Sequence, residues 1–234
     1  MREILLGVLQ GLTEFLPVSS SGHLVFFKHL FGLGEQDVTL EVMLHLATLL
    51  AILVFFWKRI PSYLKGKKIM LIILGSVPAG IVGVFFKDKI EALFTHQLLP
   101  LTFFTTAVFL LLSDRKGGER EIGIKEALFI GIAQAFAILP GISRSGFTIG
   151  TALLLGVNRD EAFEFSFFLS IPAVLGAGIL EAKEIRGEFL PLPFLCAFLS
   201  GIFALWILRR AVLRRRLLFF SLYLFGLALL SLKF

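Results

Sequence analysis

An apolar run that is broken in its middle by polar and helix-breaking residues is the feature that most constrains this chain. The run covers residues 4–31, long enough to cross a bilayer, but its centre reads Gln-Gly-Leu-Thr-Glu-Phe-Leu-Pro-Val-Ser-Ser-Ser-Gly-His from Gln10 to His23. Pro17 is predicted to end a first helix, and the Ser/Gly cluster is predicted to begin a second one, roughly over 22–31. Ionisable groups at membrane depth are costly, so this break predicts a functional site.

The same pattern returns in the second half of the chain. Aligned without gaps, the two copies match Gly7 with Gly131, Gln10 with Gln134, Ser19 with Ser143, Ser21 with Ser145, Gly22 with Gly146 and Gly32 with Gly156. They differ where chemistry is expected, because Ser20 aligns with Arg144 and Glu14 aligns with Ile138. We therefore interpret residues 1–234 as one membrane domain made of two related repeats, at about 1–115 and 120–234.

Composition and apolar runs of helix length predict an all-α integral membrane protein. Hydrophobic residues make up 57% of the chain, its mean hydropathy is +0.90, and a lone cysteine excludes an internal disulfide. The net charge of +6 would suggest nucleic-acid binding in a soluble protein, but here membrane topology explains it better, and no nucleic-acid partner is expected. Six unbroken transmembrane helices are predicted, at 39–57, 69–86, 98–113, 162–181, 192–208 and 217–232.

Basic residues orient the predicted helices. The 58–68 loop carries five Lys or Arg residues and is placed in the cytoplasm, and the cluster at 209–216 falls on the same side only if 124–156 is a re-entrant hairpin. Repeat symmetry then makes 4–31 a second re-entrant hairpin, and the second repeat is inverted relative to the first. Both termini are predicted outside, with the loop at 87–97 also outside and the two hairpin tips meeting at the midplane.

The two tips bring together groups that suit phosphate chemistry. Helix N-termini attract anions, and the Arg144 guanidinium suits phosphate oxygens. Gln10 and Glu14 share a helix face and offer oxygen ligands for Mg²⁺ or Ca²⁺. Ser20 offers a hydroxyl, and His23 a titratable imidazole one turn away.

Each of these groups also has a purely structural interpretation. Serine runs at a helix break commonly cap the helix, and Glu14 with Arg144 could form a buried ion pair. Glu41 near a helix start is expected to complement the helix dipole or to support the site indirectly rather than to catalyse, and His45 one turn later is expected to be structural. The glycines at 75, 80, 83, 176 and 178 are expected to make close helix contacts.

The motifs resemble those of a known family. Gln10-x-x-x-Glu14, the following Pro-Val-Ser-Ser-Ser-Gly-His, and Pro-Gly-Ile-Ser-Arg-Ser-Gly-Phe-Thr over 140–148 look like the two signature motifs of bacterial undecaprenyl-diphosphate phosphatase, the bacitracin-resistance membrane type. The resemblance covers essentially the whole chain. It implies hydrolysis of undecaprenyl diphosphate to the monophosphate and phosphate, which recycles the lipid carrier for cell-wall synthesis. It also implies a divalent cation, a site open to the outer face of the cytoplasmic membrane and, often, a homodimer.

Carried over by position, the resemblance gives each motif residue a role. Glu14 and Gln10 form the acidic metal-binding pair, Ser20 and His23 are the nucleophile and base candidates in either order, and Arg144 clamps phosphate. Supporting substrate-binding hydroxyls come from Ser19, Ser21, Ser143, Ser145 and Thr148. Many family members carry Glu at the first motif position, where Gln10 supplies one negative charge less.

The main alternative is a polyprenyl-phosphate transporter or flippase, alone or combined with the phosphatase. Inverted repeats with broken helices are common in transporters. The asymmetry between the repeats favours a fixed catalytic site, because Glu14 and His23 belong only to the first repeat and Arg144 only to the second. A structural scaffold would leave the polar cluster unexplained.

Overall fold

The protein is helical throughout the part of the chain that the structure describes. The computed structural model describes residues 1–31, 38–86, 89–90, 92–93, 95–181 and 188–233, so the predicted outer loop at 87–97 lies partly outside the described residues. A short 3₁₀ turn at His96–Leu98 precedes the helix that begins at Leu99. The helices in chain order are α1 Arg2–Phe15, α2 Ser20–Phe31, α3 Val38–Phe55, α4 Ile60–Tyr63, α5 Lys67–Phe85, α6 Leu99–Asp114, α7 Ile124–Phe136, α8 Arg144–Leu154, α9 Arg159–Glu181, α10 Pro191–Leu213 and α11 Leu218–Ser231.

Five stretches among the described residues are long and apolar enough to cross a membrane. They are Val38–Phe55, Lys67–Phe85, His96–Asp114, Arg159–Ile179 and Pro191–Leu213, and they match five of the six predicted spans. The sixth prediction, 217–232, coincides with α11, which is apolar but has only 14 residues. The prediction of an all-α, multi-pass membrane protein is therefore confirmed.

Both broken segments fold as two helices joined by a short irregular turn. α1 ends where Leu16, which precedes Pro17, adopts an extended conformation (φ −60°, ψ 145°). α2 starts at Ser20, two residues before the predicted start, after Ser19 takes the left-handed region at φ 68°. In the second copy Ser143 is the N-cap of α8, and its Oγ accepts a hydrogen bond of 3.2 Å from the Gly146 N–H.

Helices of the two repeats pack in exchanged pairs. α1 of the first repeat packs on α10 of the second, α7 of the second packs on α5 of the first, and α6 packs on α11. Small residues permit the close approach: a Cβ on Gly131 would lie 2.2 Å from the Gly75 carbonyl oxygen. The expected contact at Gly75 is thus confirmed. Among the described residues the same expectation is wrong for four glycines, where a Cβ would meet none of their atoms within 4 Å: Gly80, Gly83, Gly176 and Gly178.

Phenylalanines form much of the core between the repeats. Phe15 of α1 packs edge-on against Phe167 of α9 at 5.6 Å between ring centroids, and Phe56 lies 6.0 Å from the same ring. These side chains are buried. The abundant phenylalanine therefore fixes the end of α1, and with it Glu14, against the other repeat.

One end of the molecule, which we call the basic end, gathers residues 58–68, 114–120, 156–160 and 209–217. A parallel backbone bridge joins Arg120 to Val157, so the chain segments before α7 and after α8 lie side by side. Arg159 donates to the carbonyl oxygens of Asp114, Lys116 and Val212, and Arg59 pairs with Glu164 at 3.0 Å. The segment that contains α7 and α8 therefore begins and ends at the basic end.

Candidate active site at the hairpin tips

The tips of the two broken helices touch each other in the interior. Gly22 at the start of α2 approaches Gly141, where a Cβ on Gly22 would lie only 2.7 Å from the Gly141 Cα. The Ser19 Oγ accepts hydrogen bonds from the backbone N–H groups of Gly22 (3.2 Å) and Gly141 (3.1 Å). Gly141 has φ +87°, a conformation that favours glycine. The structure therefore brings the two copies of the motif together, as the repeat predicted.

The Glu14 carboxylate is the centre of the polar cluster. Its Oε1 accepts a hydrogen bond of 2.5 Å from Nη2 of Arg144, which belongs to the other repeat. Its Oε2 accepts from the Gln10 amide at 3.2 Å and from the Ser20 hydroxyl at 2.8 Å. The Glu14 side chain is 8% exposed and the Arg144 side chain 18%. Three other predicted site residues thus bond to this one carboxylate, and charge neutralisation makes its burial tolerable.

Arg144 retains hydrogen-bonding capacity beyond this pair. Its Nη1 is buried and has no hydrogen-bond partner in the part of the chain that the structure describes. A buried guanidinium nitrogen without an acceptor is costly, and phosphate oxygens are well suited to fill that position. The unpartnered nitrogen distinguishes this arrangement from a purely structural ion pair.

His23 is buried close by but does not contact the Ser20 hydroxyl. Its Nδ1 lies 2.7 Å from the Ser19 carbonyl oxygen, which can only accept, so Nδ1 carries the proton. Its Nε2 lies 2.7 Å from the Tyr223 hydroxyl, which donates to it when the imidazole is neutral. The side chain is 1% exposed. His23 therefore supports the bend at Ser19 in this conformation, while Ser20 faces Glu14.

The predicted supporting hydroxyls line the starts of α2 and α8. Ser19 and Ser21 lie 3.4 Å apart through their Oγ atoms, and Ser143 and Ser145 lie 3.3 Å apart in the same way. Thr148 is one turn further into α8, where its Oγ1 lies 2.6 Å from the Ser166 Oγ of α9. The four serines are thus close to the tips, and Thr148 ties α8 to α9.

The sequence predicts a structural role for His45, but the structure places it beside Glu14. Its Nε2 lies 3.9 Å from the Glu14 Oε2, and its Nδ1 lies 2.9 Å from the Glu41 carbonyl oxygen. The sequence contained the Glu41-x-x-x-His45 spacing but no sign of which face of α3 packs on α1. Gln134, the repeat counterpart of Gln10, is buried, and its amide has no hydrogen-bond partner among the described residues.

The residues around Glu14 fit a cation that is shared with a bound diphosphate. Among the described residues, no group of three His, Cys, Asp or Glu side chains could enclose a metal ion. Mg²⁺, however, is commonly held by one or two carboxylates together with substrate phosphates. Glu14 supplies such a carboxylate. A flip of the Gln10 amide, which exchanges its nitrogen and oxygen, would place the amide oxygen beside the same carboxylate. The donor set therefore suits a cation that arrives with its substrate.

These features define a class of protein: a helical integral membrane protein with a buried polar cluster at two broken helices, where a carboxylate of one repeat meets an arginine of the other. Comparison with known proteins agrees with this description. The model of the family "Bacitracin resistance protein BacA" matches residues 3–230, and the chain belongs to that family.

Curated relatives of the chain share one name. The chain is 42% identical to the undecaprenyl-diphosphatase of Thermosipho africanus over 99% of this chain and 98% of that protein. It is 44% identical to the undecaprenyl-diphosphatase of Methanococcus vannielii over 96% of each. It is 39% identical to that of Bacteroides fragilis over 94% of this chain and 92% of the relative.

Proposed function

We propose that this protein hydrolyses undecaprenyl diphosphate to undecaprenyl phosphate and inorganic phosphate, and so recycles the lipid carrier for cell-wall synthesis and confers bacitracin resistance. Its relatives along the whole chain are named for this activity, and the family for bacitracin resistance. The observation that carries the proposal at the level of the site is the convergence of Ser20 and Arg144 on Glu14.

The site residues can be given roles that follow from their contacts. Arg144 would bind the phosphate through Nη1, and the starts of α2 and α8 would add backbone N–H groups. The Ser20 oxygen would attack the terminal phosphorus as its proton passes to Glu14, and the bond to the bridging oxygen would break. Water would then cleave the phosphoserine. With Gln10 and Glu14 as its protein ligands, a divalent cation such as Mg²⁺ or Ca²⁺ would neutralise phosphate charge.

The predicted role of His23 in proton transfer or attack is compatible with the same site after a rearrangement. Its Nε2 would have to exchange the Tyr223 hydroxyl for Ser20 or for the substrate. The hydrogen bond between Ser20 and Glu14 favours Ser20 as the nucleophile and Glu14 as the proton acceptor. His23 in this arrangement holds the tip through the Ser19 carbonyl oxygen.

An apolar groove beside the second tip supports a place for the prenyl tail. The groove has a volume of about 590 Å³ and lies between α5 and the end of α7. Its walls include Pro78 and Ile81 of α5 and reach Ile138 and Leu139, next to the tip at Gly141. A tail in this groove would leave the diphosphate beside Arg144.

We propose six membrane-spanning helices and two re-entrant hairpins with inverted repeats, in the bacterial cytoplasmic membrane. The Arg120–Val157 bridge supports the second hairpin, because the unit between these residues starts and ends at one point. The concentration of basic residues at that end supports placing it in the cytoplasm. Both termini and the entrance to the site would then lie on the outer side. A homodimer remains a prediction from the family resemblance.

The direct test is phosphate release from a short prenyl diphosphate by purified protein in detergent. We expect release that EDTA abolishes, and a loss of at least about 100-fold in kcat for Arg144→Ala because its phosphate contacts are gone. Size-exclusion profiles and helical content should match those of the wild type, which separates chemistry from folding.

Two outcomes would contradict the proposal. Full activity of Arg144→Ala would exclude this site. Absence of phosphate release from folded wild-type protein that still binds the lipid would favour the transporter, which no observation here otherwise supports over the phosphatase.

A further inference from the structure

The Nε2 atom of His45 faces the Glu14 carboxylate. Its Nδ1 lies 2.9 Å from the Glu41 carbonyl oxygen, and because a carbonyl only accepts, Nδ1 bears the proton. In the neutral imidazole, Nε2 is then unprotonated, and it lies 3.9 Å from the Glu14 Oε2. The imidazole is 33% exposed and is therefore accessible to an ion. Two electron-pair donors facing each other in this way form a gap that suits a positive charge.

The separation between these two atoms is suited to a bridging metal ion. It is longer than a hydrogen bond, which is commonly about 2.7–3.2 Å between heavy atoms. Protein ligands lie about 2.0–2.2 Å from a divalent ion of this size, so two ligands of one ion are roughly 3 to 4.4 Å apart. The observed 3.9 Å between Nε2 and Oε2 falls inside this interval.

The surroundings of the gap add to this argument. A metal-binding histidine usually donates its other ring N–H to a carbonyl or a carboxylate, as His45 does to Glu41. Gln10 and Ser20 contact the same oxygen of Glu14 that faces His45, whereas Arg144 occupies the opposite oxygen. The positive guanidinium and a cation would therefore not compete for one carboxylate oxygen.

We propose that His45 is a third protein ligand of the divalent cation, beside Glu14 and Gln10. The inference rests on the proposed function, because the cation is the one that accompanies the diphosphate. Ca²⁺ takes oxygen ligands almost exclusively, whereas the first-row transition metals also accept an imidazole nitrogen. The site is thus expected to prefer Mn²⁺ to Ca²⁺, whereas the sequence alone pointed to Mg²⁺ or Ca²⁺.

The experiment is pulsed electron paramagnetic resonance of Mn²⁺ bound to purified full-length protein, in the presence of a methylene-bridged prenyl diphosphonate that cannot be hydrolysed. We expect nitrogen coupling from a directly bound imidazole, and replacement of all histidines by their ¹⁵N form should change that coupling accordingly. His45→Gln should abolish the coupling and weaken Mn²⁺ binding by at least about tenfold. His96 lies just before α6, at the end of that helix that is far from the basic end. His96→Gln is the control and should change neither the nitrogen coupling nor the affinity for Mn²⁺.

Three outcomes would overturn the assignment: no Mn²⁺ binding, bound Mn²⁺ without nitrogen coupling in the wild type, or coupling that persists in His45→Gln. The isotope experiment uses wild-type protein and does not depend on the folding of a variant. Phosphate release from a prenyl diphosphate is measured on the same preparation. If phosphate is released but no nitrogen coupling is seen, only the role of His45 is rejected. If no phosphate is released, the proposed function is rejected.

Discussion

Glu14 connects the two repeats through one carboxylate, and its two oxygens have different partners. Oε1 pairs with the arginine of the second repeat, while Oε2 receives the hydroxyl of Ser20 and the amide of Gln10. An ion pair that served stability alone would not require a serine hydroxyl at the second oxygen. This division is the reason for our prediction that Ser20, rather than His23, is the nucleophile.

The chemistry of a trapped intermediate distinguishes Ser20 from His23 as the nucleophile. With substrate labelled at the terminal phosphorus, we expect a phosphoenzyme that survives an acid quench, because a phosphoserine ester is stable in acid and a phosphoramidate of histidine is not. Ser20→Ala should abolish the label, and His23→Asn should keep it. A label that is lost in acid and retained in alkali would assign the attack to His23.

The contacts of Glu14 and His45 show what spacing along the chain can and cannot predict. Gln10 and Glu14 were expected on one face because they are four residues apart, and they are hydrogen-bonded. Arg144 could be placed near them because the repeat requires the two tips to meet. His45 could not, because α3 is apolar around most of its surface, and its sequence carries little information about which face packs on α1.

At the scale of helices, close packing at Gly131 is predicted to be necessary for the site. A Cβ there would lie 2.2 Å from the Gly75 carbonyl oxygen, so Gly131→Ala must push α7 away from α5. We expect a clearly lower midpoint of thermal unfolding and reduced phosphate release. Gly80→Ala in α5 is the matched control, since its Cβ would meet no atom of the described residues within 4 Å and alanine favours the helix. An equal effect of both changes would contradict the packing argument.

Helix boundaries were predictable where the residues have local conformational rules. Pro17 and the serines mark the first break because proline ends a helix and serine caps one; at this break the start of α2 is displaced from 22 to Ser20. Gly80 illustrates the opposite case. A glycine in an apolar helix is a common sign of a close contact, but whether a partner helix lies opposite depends on the tertiary arrangement.

At the scale of the whole molecule, exchange of helices between the repeats explains how two similar sequences form one asymmetric site. α1 packs against the second repeat and α7 against the first, so neither hairpin is supported by its own repeat alone. The repeats could therefore diverge at the tips, to Glu14 in one and Arg144 in the other, while the shared glycines kept the packing. We expect neither half to hold the site when expressed separately.

The arrangement in the membrane can be tested with single cysteines, because Cys196 is the only native one. On a Cys196→Ser background, Lys65→Cys, Glu119→Cys and Arg214→Cys place a thiol at exposed positions of the basic end, and Lys233→Cys places one near the other terminus of α11. If the α7–α8 unit is a re-entrant hairpin, α9 and α10 return the chain to the cytoplasm. An impermeant maleimide should then label only Lys233→Cys in intact spheroplasts, and all four variants after lysis. The pair at 119 and 214 is decisive, because a fully crossing 124–156 segment would expose position 214 outside while position 119 stayed inside.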